Sequence, residues 1–204
     1  MYIVTAPWLL RKFSPPFLTW DIPNRSNEIF LTFDDGPHPV ATPFVLDLLK
    51  QYNAKATFFC IGKNVKDEPA LYRRIIDEGH KVGNHTYNHL NGKKNSDKDY
   101  LDNIIQAKKI IDSKLFRPPY GAITRFQARQ LKGIYDIVMW NVLSADFDTT
   151  ISKEKCLENV VKHTKPGSII VFHDSEKAFP HLEYALPKAL DFFAEKGYNM
   201  ASIK

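Results

Sequence analysis

Apolar residues fall along this chain in short blocks rather than in one long period. Compact apolar runs at 29–33, 56–61, 81–83, 115–117, 136–142, 168–173 and 198–203 have the length of strands. Between them lie segments with helical spacing: 42–52, 68–78, 97–113, 124–131, 153–164 and 181–196. Val45, Leu48 and Leu49 form one such apolar stripe, and Leu71, Ile75 and Ile76 another. Gly79, Gly133 and Gly197 stand where helices should close, while Thr124 and Ser152 can cap the helices that follow them. Strand–helix alternation repeated about seven times implies an α/β fold with a parallel sheet and crossover helices. No repeat, linker or low-complexity tract interrupts it, and 204 residues suit one domain. Residues 1–27 precede the alternation and are expected to pack as an arm on a domain spanning 28–204.

That order has a chemical consequence. In parallel α/β barrels, reactive groups gather at the C-terminal ends of strands. Here those ends carry Asp34 and Asp35, then His85, Arg117, Asp146 and His173. The densest of these points is Thr32-Phe33-Asp34-Asp35-Gly36-Pro37, where an apolar strand meets a Gly-Pro turn. Asp-Asp-Gly-Pro is also ordinary turn chemistry. Yet two carboxylates facing one cavity repel each other unless a cation or a shared proton lies between them. His85 and His89 supply the rest of a cation site, since on a helical turn positions i and i+4 share a face. Two imidazoles and one carboxylate leave coordination positions open, as catalytic rather than structural zinc sites do. The second carboxylate of the pair is then free to act as a base. Arg117 is a fixed cation able to pair with that base, and Pro118 and Pro119 stiffen the turn after it. His173 ends a strongly apolar strand, where an imidazole facing the site can protonate a leaving amine or alcohol.

Taken together, five motifs resemble the polysaccharide deacetylases, carbohydrate esterase family 4 with the NodB homology domain. They are Thr32 to Pro37, His85-x3-His89, Arg117-Pro-Pro-Tyr120, Trp140 to Asp146, and the strand ending at His173. The resemblance spans about residues 28–203 in family order. It implies a distorted (β/α)7-type barrel, with Asp34 as general base and Asp35, His85 and His89 holding a divalent ion. Zinc is expected there, and the donor set also admits cobalt, nickel or manganese. Arg117 would orient Asp34, and Asp146 would tune His173 as general acid. The Tyr120 N–H, with Pro119, Val171 and Trp140 around it, would form the oxyanion and substrate side. The implied reaction is hydrolysis of N-acetyl groups on an acetylated sugar polymer, releasing acetate. An O-acetyl esterase of the acetylxylan type, an enzyme on small cyclic amides, and a non-catalytic sugar-binding protein remain open on the same scaffold. The chain departs from the family pattern at Leu143 and Phe147, where an aspartate and a tryptophan are usual. At Val171 leucine is the common residue.

Composition narrows the classes further. Lys and Arg exceed Asp and Glu by 28 to 23 with no arginine-rich block, which gives a nucleic-acid role no support. No run nears the ~18 apolar residues a spanning helix needs. The early apolar run carries Arg11 and Lys12 after it, the reverse of a secretory signal. The expectation is a cytoplasmic chain, with residues 1–12 as a packing arm or a peripheral contact at the inner membrane face. Cys60 and Cys156, far apart among apolar neighbours, read as buried free thiols. The sequence leaves oligomeric state open.

Overall fold

The computed structural model describes residues 4–23 and 26–204, so positions 1–3 and 24–25 of the expected arm lie outside it. The core is β2 (Glu28–Asp34), buried at every position after its first. Such unbroken burial is what a parallel strand covered on both faces requires. It pairs with β3 (Ala56–Cys60) on one side and β8 (Ile169–His173) on the other, both parallel. Beyond β3 come β4 (Lys81–Asn84), β5 (Leu115–Phe116) and β6 (Asp136–Val138), again parallel. A short β9 (Asn199–Met200) joins the start of β2.

The run expected as one strand at 136–142 is two. β6 pairs with β5, whereas β7 (Val142–Leu143) pairs with β8. The intervening residues therefore join the two ends of the sheet into a distorted barrel. The N-terminal segment fills the break. β1 (Leu18–Thr19) adds to β6, and Thr5 bridges Val142 antiparallel. Leu143 N–H donates to the Val4 carbonyl at 2.8 Å, and Met139 N–H to that of Thr19 at 2.7 Å. A two-residue strand has too few side chains for a period to show, which is why β1 escaped the pattern.

Helices cover the outside. α1 (Trp8–Phe13) is a short helix with no buried residue. α2 (Ala41–Gln51) buries Val45, Leu46 and Leu49, with Leu48 only half inside. α3 (Gly62–Asp67), unforeseen in the sequence, precedes α4 (Pro69–Asp77). On α4 only Ile75 is fully buried, and Ile76 of the expected stripe faces solvent. α5 (Asp97–Lys108) is capped by the Ser96 hydroxyl and stops short of 113. α6 (Arg125–Leu131) opens on a reciprocal Thr124–Gln127 capping box, and α7 (Lys153–Val161) on Ser152. α8 (Phe179–Glu195) completes the set. Gly79, Gly133 and Gly197 all take positive φ just past helix ends, the left-handed closure only glycine makes freely. Cys60 and Cys156 are buried free thiols, as expected.

Parallel register makes the site. Asp34 lies opposite His173 on β8 and Phe59 on β3, and Cys60 opposite Asn84 on β4. All C-terminal strand ends therefore open on one rim. Beneath it, Phe33 stacks between Phe58 and Phe172, with ring centroids 5.1 and 6.1 Å away. Phe33→Ala removes the middle of that stack. It should cost about 3–5 kcal/mol of stability, read as a lower urea midpoint at unchanged m-value.

Candidate active site

The two aspartates at the end of β2 reach the same cavity because the backbone turns sharply between them. Asp35 has φ 80° and leads into a cis Gly36–Pro37 bond. The loop is fixed from behind. Asn64 Nδ2 donates to the Asp35 carbonyl at 2.7 Å, and Gly36 N–H donates to Asp174 Oδ1 at 3.1 Å. A Cβ at Gly36 would fall 2.1 Å from the Asp174 carboxyl, so only glycine permits this approach. Burial pushes the Asp174 pKa up to about 8, against the opposing hydrogen bond from the Thr42 hydroxyl.

His85 follows β4 directly, and His89 lies in the turn after it. This turn is not helical: Thr86 and His89 both have positive φ, at 65° and 60°. Side chains hold it instead. Asn84 Oδ1 accepts from Thr86 N–H, and Asn103 Oδ1 from Tyr87 N–H, each at 2.8 Å. His85 Nδ1 lies 2.8 Å from the Arg117 carbonyl, which can only accept. Nδ1 therefore carries the proton, and the Nε2 lone pair faces the cavity. His89 Nδ1 is 3.1 Å from the Tyr120 hydroxyl.

Asp35 Oδ1 sits 3.6 Å from His85 Nε2 and 3.1 Å from His89 Nε2. One donor atom from each of these three residues lies within 4.8 Å of the others. Ligands at 2.0–2.1 Å from a tetrahedral ion stand roughly 3.3 Å apart, so the donors fit a single ion. The electrostatics agree. Asp35 Oδ1 is buried without a hydrogen-bond partner. Burial alone would raise the Asp35 pKa, but His89, His173 and His85 outweigh it and hold the carboxyl well below its usual range. Burial lowers His85 to about 4 despite the pull of Asp34, which keeps the ring in its neutral, ligating form.

Asp34 is held separately. Arg117 is fully buried, and its Nη1 donates to Asp34 Oδ1 and to Thr32 Oγ1, both at 2.7 Å. Its Nε and Nη2 donate to the Val138 and Met139 carbonyls at 3.2 and 3.0 Å. The guanidinium lies 4.1 Å over the Phe59 ring. Across the rim, Asp146 Oδ1 is 2.7 Å from His173 Nδ1, and Oδ2 accepts the His173 backbone N–H at 2.7 Å. Burial alone would lower the His173 pKa, but Asp146, then Asp35 and Asp34, raise it to about 9. The Phe147 ring meets this imidazole edge to face, at 5.1 Å and 83°.

These groups surround a cavity of about 750 Å³. Of the residues singled out in the sequence, Asp34, Asp35, His85, His89, Tyr120, Trp140, Val171 and His173 line it. Arg117 and Asp146 stand behind the wall, acting through Asp34 and His173. Pro119 is buried in a 3₁₀ turn, where it shapes the backbone at Tyr120 (φ 60°) and does not itself line the cavity. Two supports went unread in the sequence, Thr32 and Asp174, whose polarity at buried positions was the available signal; Asn84, which the sequence offers as a support for the histidines, is buried and braces their turn. The N-terminal arm was expected to pack on the domain, but nothing in the sequence signalled that its Ala6, Pro7, Leu10 and Trp20 wall the cavity.

Comparison with known proteins places this geometry. The polysaccharide deacetylase family model matches residues 21–133. The chain is 38% identical to a peptidoglycan-N-acetylglucosamine deacetylase of Bacillus cereus, over 96% of both proteins. It is 33% identical to a peptidoglycan-N-acetylmuramic acid deacetylase of Bacillus subtilis, over 88% of this chain and 71% of that one. A crystal structure of a peptidoglycan N-acetylglucosamine deacetylase, in complex with 4-naphthalen-1-yl-N-oxidanyl-benzamide, superposes with a TM-score of 0.86 at 35% identity. That match covers 91% of this chain and 90% of the other. With its barrel, its rim and these relatives in agreement, the chain belongs to the polysaccharide deacetylase family of hydrolases, carbohydrate esterase family 4.

Proposed function

We propose that this protein is a divalent-metal-dependent deacetylase acting on N-acetylglucosamine units of a cell-wall glycan, with zinc as its ion. The observation that carries the reading is the split between the two aspartates. Asp35 turns an unpartnered buried oxygen toward two imidazoles, while Asp34 is anchored to Arg117. Asp35, His85 and His89 would hold the cation, which would supply Lewis acidity and ease the ionisation of water near neutral pH. Asp34 takes the proton from the attacking water, oriented by the guanidinium behind it. The Tyr120 N–H donates to the acetyl oxygen as that oxygen gains charge, the stiff Pro118-Pro119 pair fixing its direction. His173, protonated and steadied by Asp146, gives its proton to the sugar nitrogen as the C–N bond breaks. Acetate and a free amine leave. Both proton-transfer groups and their supports are intact, which weighs against a protein that only binds sugar. The substrate rests on the names of the relatives and on a cavity large enough for a sugar ring.

Two outcomes follow. Calorimetric titration should show a single zinc bound per chain, lost in His85→Ala with His89→Ala. Asp34→Asn should keep the zinc and lower acetate release from N-acetylglucosamine oligomers about 10²–10⁴-fold. Zinc binding by the double-alanine protein would overturn the ligand assignment.

The second concerns pH. His173 serves as an acid only while protonated, so activity should hold through neutrality and fall as pH rises through about 9. In Asp146→Asn the chief charge raising that pKa is gone. The alkaline limb should then move toward the ordinary histidine value of about 6.5. A limb left in place would remove His173 from the acid role.

A further inference from the structure

α1 inverts the usual arrangement of a surface helix. Amphipathic helices turn their apolar side chains to the core and their charges to water. Here Trp8 and Phe13 are each 66% exposed, Leu9 50% and Leu10 49%, and no residue of the helix is buried. What ties the helix down is polar. Arg11 Nη2 donates to Asp21 Oδ1 at 2.6 Å, and Arg125 Nη2 to the Phe13 carbonyl at 3.3 Å. The Ser14 hydroxyl donates to the Leu10 carbonyl at 2.6 Å. The apolar side chains are left facing outward, and Phe126, next to Arg125 on α6, is exposed as well.

An exposed apolar patch of this kind marks a protein partner or a lipid surface, and its charges decide between them. Protein interfaces deplete lysine. Lys12 sits within this patch, its Nζ 5.4 Å from the centre of the Trp8 ring. Among the described residues it has no carboxylate partner. Residues 1–20 contain no Asp or Glu. Arg125, bonded to Phe13, and Lys132, its Nζ 5.4 Å from the centre of the Phe17 ring, extend the positive border. Aromatic rings interleaved with cations are the composition of an interfacial anchor. The rings enter the boundary between headgroups and acyl chains, and the cations meet anionic headgroups.

We infer that α1 is a membrane-docking element whose occupant is the surface of a bilayer containing anionic phospholipid. Ala6, Pro7 and Leu10 wall the catalytic cavity, so docking through Trp8, Leu9 and Phe13 sets the rim of that cavity beside the membrane. The inference goes beyond the deacetylase reading, because it needs neither metal nor turnover.

Vesicle co-sedimentation tests it on the full chain. Vesicles of phosphatidylcholine with phosphatidylglycerol should bind the protein at least about tenfold more tightly than phosphatidylcholine alone. Added salt should narrow that difference. Trp8→Ser combined with Phe13→Ser should weaken binding to the anionic vesicles about tenfold or more. The urea midpoint should not move, since neither side chain is buried. Lys12→Glu alone keeps both rings and should weaken binding about tenfold. Tryptophan emission should shift to the blue on binding, and Trp8→Phe should lose most of that shift while still sedimenting. No binding to anionic vesicles, or binding untouched by the serine pair, overturns the inference. So does a stable dimer in sedimentation velocity that the serine pair dissolves, since a second copy of this chain then covers the patch. Acetate release from a soluble N-acetylglucosamine oligomer should be unchanged in the serine pair, so failure of docking and failure of the deacetylase reading are told apart.

Discussion

Two carboxylates on consecutive residues, both drawn toward the interior, are the constraint around which this molecule is arranged. Left unpaired, each would cost several kcal/mol to desolvate, and together they would repel. The fold separates them by function. Arg117, wholly buried, neutralises Asp34 and also donates to Thr32 and two carbonyls, so that each guanidinium nitrogen has a partner. Asp35 is swung away by its positive φ and faces imidazoles instead. A buried arginine is tolerable only when its partners are fixed. Here those partners come from β2 and from the backbone leaving β6, so the barrel itself orients Asp34.

His173, at the opposite rim, is held by a similar division of labour. Asp146 binds both the ring and the backbone of His173, holding the imidazole in one tautomer and keeping its protonated form favoured. Phe147 closes over it where the family more often has a tryptophan. The smaller ring lacks an indole N–H, so at this position the wall offers shape without a hydrogen bond. Leu143, in place of an aspartate, likewise leaves its stretch of the cavity apolar.

Much of this was legible in the residues. The apolar blocks located β2, β3, β4, β5 and β8, because fully covered parallel strands cannot hide their composition. Five motifs in order then carried the rim chemistry. What escaped was held by the backbone or by distant chain. Nothing in His85-x3-His89 reveals that its turn runs through two left-handed residues rather than a helix. The split between β6 and β7 is likewise silent, since 136–142 is mostly apolar, with Asp136 and Asn141 its polar positions, and the break depends on what pairs alongside. Thr32 was quoted as part of a motif without a role. Its hydroxyl became meaningful only when Arg117 was seen to donate to it.

The N-terminal segment carries one more implication. Its residues 4–5 and 18–19 are hydrogen-bonded to chain that lies far along the sequence, and its Ala6, Pro7 and Leu10 wall the catalytic chamber. This segment must therefore wait, unsatisfied, until positions 136–143 exist to receive it. Contacts of such long sequence separation are slow to form. The chamber is consequently among the last features to mature, and a chain caught before that closure would own every reactive side chain yet lack the vessel in which they work.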